Sequence, residues 1–257
     1  MPPVYPPSVA AKVLVLAGTT EATEVARRLH QRGVEVVSSL AGVTMAAVDR
    51  PGAVRSGGFG GVDGLARFLV AERVDAVIDA THPFASAMPF NTAAAATRTA
   101  VPHIRLLRPP WSRHEGDRWI GVPGMEEAAA ALDPCGAKRV FLATGRQQVD
   151  VFRRCTGQWF LVRSIEPVAE PLARSVEIRD RGPFTVAGER RLFVEHAIDT
   201  LVAKNAGATA TAAKLDVARE LGVPVVLVAR PPQPPGVQVV TTVDAALAWL
   251  EPVTRLA

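Results

Sequence analysis

Short apolar runs of strand length alternate with helix-period segments along almost the whole of this 257-residue chain. "KVLVLA" (Lys12 to Ala17) leads through "GT" into "TEATEVARRLHQR", and "VEVVSSL" follows (Val34 to Leu40). Runs of this kind are too apolar on both faces for a sheet open to water on one side. They imply parallel strands covered by helices on both faces, an α/β fold. The pattern predicts strands at 12–17, 34–40, 75–80 and 103–107, with helices near 20–32, 62–73 and 84–99. "RPPWSRHEGDRW" (Arg108 to Trp119) then interrupts it with prolines and charges and marks a domain boundary. Beyond it, strands are predicted at 139–144, 159–164, 200–204, 224–229 and 237–240. Helices fit near 124–132, 147–154, 189–199, 209–221 and 243–250. "ARPPQPPG" (Ala229 to Gly236) connects to the last strand and helix. No sequence repeat is visible, yet the two halves repeat an architecture.

Composition narrows the classes. Hydrophobic residues make up 48% of the chain, enough for a sizeable core, and a net charge of +4 is too small to argue for a nucleic-acid partner. Lysine occurs only at Lys12, Lys138, Lys204 and Lys214, so arginine carries most of the positive charge. Two readings fit that bias: genome base composition, or guanidinium forks that meet carboxylates and phosphates. Cys135 and Cys155 have neither metal-ligand nor disulfide spacing, which fits a reduced, cytoplasmic compartment. "MPPVYPPSVAAK" has no basic n-region or apolar h-region and reads as a short extended tail. No apolar run approaches a membrane span.

In open parallel sheets, ligands bind beyond the carboxyl ends of the strands. "AGTTEA" (Ala17 to Ala22), "SSLAG" (Ser38 to Gly42), "DATHPFA" (Asp79 to Ala85), "ATGR" (Ala143 to Arg146) and "KNAGATATAAK" (Lys204 to Lys214) all follow predicted strands. In the first, Gly18 permits close backbone approach, and the helix starting near Thr20 offers unpaired N–H groups to an anion. Glu21 suits a helix N-terminus but repels a phosphate that comes close. The plain alternative is a capped turn with no ligand. NAD-binding units place an acid about 20 residues past the glycine turn. Here Ser38 and Ser39 stand instead, with Arg50 and Arg55 a little further on, a pattern that favours a 2′-phosphate over a bare ribose. Asp79, Thr81 and His82 end another strand. His82 is a candidate proton donor or ligand contact, against a purely structural role. Lys204, Asn205, Gly207 and Thr209 form a second anion-ready turn, with Thr144, Gly145 and Arg146 beside it if their strands are neighbours.

Several chemistries drop out. There is no GxxxxGK[ST] phosphate loop and no G-x-S-x-G elbow. The single tyrosine, Tyr5, lies in the tail, which removes a Tyr–Lys reductase pair, and no His/Cys cluster has metal spacing. "VLVLAGTTEA", "DATHPFA", "ATGR" and "KNAGATATAAKLDVARELGVPVVLVARP", in this order, resemble the precorrin-6A reductases of cobalamin biosynthesis. The resemblance covers the chain beyond its first ten residues. It implies two Rossmann-like halves, a cofactor-binding domain at 1–110 and a substrate-binding domain at 111–257, with the active site in the cleft between them. It also implies hydride transfer from NADPH to a double bond of precorrin-6A, giving precorrin-6B. Gly18, Thr19, Thr20, Glu21, Ser38, Ser39, Gly42 and Thr81 would then meet the cofactor. Thr144, Gly145, Arg146, Lys204, Asn205, Gly207 and Thr209 would meet the carboxylate-rich macrocycle, with His82 as candidate acid. The implied partners are the tetrapyrrole and, by hand-over, other enzymes of the pathway, with no metal, nucleic acid or membrane. A cobalt-precorrin-6A reductase, a different NADP-dependent reductase and a non-catalytic NADP sensor remain as alternatives.

Overall fold

Runs that are apolar on both faces become central strands. In the computed structural model, which describes residues 11–40 and 51–255, Val13 and Val15 face one side of a sheet. Leu14 and Leu16 face the other, and all four are buried. They form β1 (Lys12–Leu16), which leads into α1 (Thr20–Gln31), β2 (Glu35–Leu40), β3 (Ala53–Ser56) and α2 (Gly61–Ala71). β4 (Ala76–Asp79), α3 (Ala87–Thr99) and β5 (His103–Leu106) follow. α1 buries Ala22, Val25, Ala26 and Leu29, the i, i+3, i+4, i+7 stripe of an amphipathic helix.

The second set runs β6 (Trp119–Val122), α4 (Met125–Ala130), β7 (Arg139–Ala143), a 3-10 segment Val149–Arg154, β8 (Trp159–Ser164) and β9 (Ser175–Arg179). It continues with α5 (Val186–Glu195), β10 (Thr200–Lys204), a second 3-10 segment Thr209–Thr211, α6 (Ala213–Glu220) and β11 (Val225–Val228). β12 (Val239–Val240) and α7 (Val243–Arg255) close the chain.

Among the described residues two six-stranded parallel sheets result, in the orders β3-β2-β1-β4-β5-β12 and β9-β8-β7-β10-β11-β6. Each has the strand order of a doubly wound, Rossmann-like sheet, so the expected α/β class is what the chain adopts. The sixth places are exchanged. The first sheet ends on β12, which arrives after all of the second sheet, and the second sheet ends on β6, which precedes β7.

The chain accordingly divides into Met1–Pro109 with Pro232–Ala257, and Pro110–Pro231. This corrects the expected second domain of 111–257. The proline connector carries the last segment back to the first unit, where Val239 and Val240 pair with Arg105 and Leu106. Ala246, Leu247 and Leu250 of α7 then pack into the core beside α1. Leu65, Ala66 and Leu69 of α2 and Ala95 of α3 cover the other face of that sheet. In the second unit, Phe193 of α5 and Leu215, Val217 and Ala218 of α6 pack on Phe141, Leu161, Leu201 and Val225.

Candidate functional site

Because all strands of a sheet are parallel, their carboxyl ends share one edge, and the polar turns gather there. In the first unit that edge carries Gly18, Ser39, Arg55, Asp79, Thr81, His82 and Arg108.

Thr19 caps α1: its Oγ1 accepts from Ala22 N at 3.2 Å and donates to Ala80 O at 3.0 Å. The hydroxyl proton of this residue, expected to meet the cofactor, is therefore committed to the neighbouring β4 turn. A side chain at Gly18 would stand 3.1 Å from His82 N. The one-glycine turn thus admits the Thr81–His82 backbone, a packing reason for glycine that holds with or without a ligand. Thr20 is exposed and its Oγ1 donates to Glu21 Oε2 at 3.2 Å. Glu21 also accepts from Arg108 Nη1 at 2.7 Å, so its charge is compensated beside the amide-rich end of α1.

At the end of β2, alternation splits the two serines. Ser38 is fully buried, and its hydroxyl has no hydrogen-bond partner among the described residues, so it is not presented at the edge. Ser39 Oγ accepts from Arg55 Nη1 at 2.8 Å. Arg55 also donates to the carbonyls of Gly57 at 3.0 Å and Gly58 at 3.1 Å, and its guanidinium lies 3.8 Å over the Phe59 ring. Burial lowers its pKa, and no carboxylate among the described residues pairs with it. Gly42 and Arg50 lie outside the described residues.

Asp79 and Arg105, both buried, pair at 2.5 Å. Thr81 joins them: its N and Oγ1 donate to Asp79 Oδ1 at 3.0 and 2.7 Å, and Oγ1 accepts from Arg105 Nη1 at 3.2 Å. The threonine expected at the cofactor thus shapes the turn that presents His82. Phe84 N donates to His82 Nδ1 at 3.2 Å, which puts the proton of a neutral ring on Nε2.

In the second unit, Thr144 is buried with no partner for its hydroxyl among the described residues, and Gly145 has φ +78. Arg146 is exposed at the end of β7 and makes no ion pair among the described residues. Lys204 ends β10 half-buried, and desolvation lowers its pKa. Asn205 is structural at its side chain: Oδ1 accepts from Trp111 N at 2.8 Å, while its carbonyl accepts from Arg230 Nε at 2.9 Å. Gly207 has φ +73. The expected helix at 209–221 begins later. Thr209 opens a 3-10 turn, and α6 starts at Ala213 without a side-chain cap. The segment 205–212 is therefore an eight-residue turn rather than a helix N-terminus.

Two buried ion pairs escaped the sequence reading, Asp79–Arg105 and Arg163–Glu189. Their signal was a lone arginine inside an apolar strand, in "HIRLL" and "FLVRS". Lys214 of α6 escaped it too: it donates to Thr211 O and lies 4.8 Å over the Trp111 ring, and burial, then the nearby Arg163 charge, lowers its pKa to about 7. The described residues hold no metal-ready cluster and no helix long and apolar enough to cross a membrane.

Residues 12–251 match the family described as precorrin-6x reductase CbiJ/CobK. A precorrin-6A reductase of Rhodococcus erythropolis is 47% identical over 95% of this chain and 99% of its own. A solved structure described as CobK precorrin-6A reductase has TM-score 0.88 and 43% identity, over 95% of this chain and 97% of that one. A cobalt-precorrin-6A reductase of Priestia megaterium is more distant, 29% identical over 85% and 90%. Strand order, the polar edge and full-length similarity agree: this chain belongs to the precorrin-6x reductase family.

Proposed function

We propose that the chain reduces precorrin-6A to precorrin-6B with NADPH, in the cytoplasm. The observation that carries this reading is the 47% identity, across nearly the whole of both chains, to a protein named precorrin-6A reductase. The lower identity, 29%, to a cobalt-precorrin-6A reductase favours the cobalt-free ring.

The residues of the first unit fit an NADP-type cofactor. Arg55 is a guanidinium held by neutral acceptors and an aromatic face, beside Ser39 and without a carboxylate partner among the described residues. A 2′-phosphate supplies the missing negative charge. Glu21, neutralised by Arg108, no longer opposes phosphates at the start of α1. NADPH, when bound, supplies the hydride. Hydride transfer needs orientation rather than a protein nucleophile, so the work of the residues is positioning. His82 is the proposed proton donor, through Nε2, and the Asp79–Arg105–Thr81 network holds the turn that bears it.

In the second unit, Arg146 and Lys204 are proposed to meet substrate carboxylates, with Thr209 on the turn that follows Lys204. The test is spectral: purified protein, NADPH and precorrin-6A are mixed and the visible spectrum of the ring is followed. Consumption of NADPH together with conversion of the ring supports the proposal. A ring spectrum unchanged while NADPH binds would leave an NADP sensor as the better reading.

A further inference from the structure

The carboxyl edge of the second sheet carries a pocket of about 800 Å³, between the ends of β8 and β9 and the start of α5. Strand order makes β8 and β9 the counterparts of β2 and β3, whose ends hold Ser39 and Arg55 in the other unit. The pocket is built around Arg163, which is buried, paired with Glu189 and covered by the Phe184 ring at 3.7 Å.

Its charges are unevenly committed. Glu189 is held by Arg163. Glu177 accepts from Ser164 Oγ at 2.9 Å and Val168 N at 3.2 Å, and Asp180 accepts from Arg181 N at 2.7 Å. Two cations of the lining are less engaged. The side chain of Arg179 is exposed and makes no ion pair or hydrogen bond among the described residues. Arg191 reaches Glu195 only at 3.9 Å. Ile178 and Leu192 add apolar wall. Phe184 N donates to Ala210 O at 3.0 Å, which ties the pocket to the turn at 205–212. A site with an aromatic and aliphatic lining, satisfied acids and guanidiniums in reserve suits a large apolar ligand that carries carboxylates.

We propose that this pocket is a substrate subsite that takes carboxylate-bearing side chains of the macrocycle, with Arg179 and Arg191 as their partners. The proposal rests on the reading of the protein as a precorrin-6A reductase and adds residues outside the recognised motifs. The test uses Arg179→Glu, Arg191→Glu and the double variant, with Arg118→Glu as control. Arg118 immediately precedes β6, at the opposite edge of the sheet, and carries the same charge change. Binding of precorrin-6A, KM for precorrin-6A, KM for NADPH and melting temperature are measured for each.

On the order of a tenfold rise in KM for precorrin-6A in each pocket variant, about 1.4 kcal/mol, is expected, with KM for NADPH and melting temperature unchanged. Arg179→Lys should restore most of the affinity, and the control should stay near the parent. A parent that reduces precorrin-6A while all three pocket variants stay within about twofold of it overturns the subsite alone, as does a control that weakens equally. A parent that binds the macrocycle without reducing it overturns the reading of function instead. A parent that does not bind it overturns both.

Discussion

After β1 the chain enters its helix through three residues, Ala17, Gly18 and Thr19; after β10 it takes the eight residues 205–212. Both turns are small, polar and glycine-containing, and both lie at the carboxyl edge of a parallel sheet. The short one is held from within, by the Thr19 cap and the close fit of Gly18 against His82 N. The long one is held from outside, by Trp111 N on Asn205, Arg230 on the Asn205 carbonyl and Lys214 on Thr211 O. Residue types mark where a turn lies. Their partners decide whether its hydroxyls are committed, as at Thr19, or exposed, as at Thr209.

The largest expected effect probes the outside support. Lys214 is buried and its pKa falls from 10.5 to about 7, first through desolvation, then through Arg163, with Glu189 opposing. Below about pH 7 the ammonium is charged in both the folded and unfolded states, so the folded chain bears the full cost of burying it. From there to about pH 10.5 the unfolded chain binds the extra proton and stability rises with pH. Above that both states are neutral and the cost is gone. The cost is on the order of 5 kcal/mol at most. Lys214→Met removes it but leaves Thr211 O without its donor, an offset of about 1–3 kcal/mol. A net gain in stability is expected at about pH 6, shrinking or reversing by about pH 9.5. Denaturant unfolding at both values checks this, and a gain independent of pH would show that Lys214 carries no buried charge.

Gly18→Val attacks the short turn. A branched side chain at 3.1 Å from His82 N must displace that backbone. A loss of about 1–3 kcal/mol in stability is expected, with weaker NADPH binding. Gly18→Ala should cost less. If the valine variant melts like the parent, the close fit does not hold the turn.

The smallest pair compares the threonines directly. Thr19→Ala loses an N-cap and should cost about 1 kcal/mol. Thr209→Ala, whose side chain makes no cap, should stay within about 0.5 kcal/mol. Equal losses in thermal unfolding would erase the distinction between the turns.

The legible part of the fold was its centre. β1, β2, β4, β7, β8, β10 and β11 are apolar on both faces and stand out as runs. β3, β6 and β9 passed unread: all three lie at sheet edges and are partly exposed, "AVRS" and "SVEIR" are broken by polar residues, and "WIGV" is only four residues long beside the proline- and charge-rich stretch before it. The boundary near residue 110 shows in the prolines, but the return of β12 and α7 to the first unit does not, because pairing across the chain leaves no local pattern. The site follows the same rule. Asp79 and Thr81 were visible at a strand end, whereas Arg105, 26 residues on, is joined to them only through register. Ser38 and Ser39 look equivalent in sequence, and the pleat alone separates a buried hydroxyl from one that meets Arg55.

The central claim is a division of labour, with reductant on the first unit and substrate on the second. Its most direct measurement is paired titration of NADPH, NADH and precorrin-6A against the parent, Arg55→Ala and Arg146→Ala under one salt condition. NADPH should bind the parent on the order of tenfold more tightly than NADH. Arg55→Ala should erase that preference and leave precorrin-6A affinity unchanged. Arg146→Ala should weaken precorrin-6A on the order of tenfold and spare NADPH. Equal binding of NADPH and NADH by the parent, or loss of the same ligand in both variants, would contradict the account.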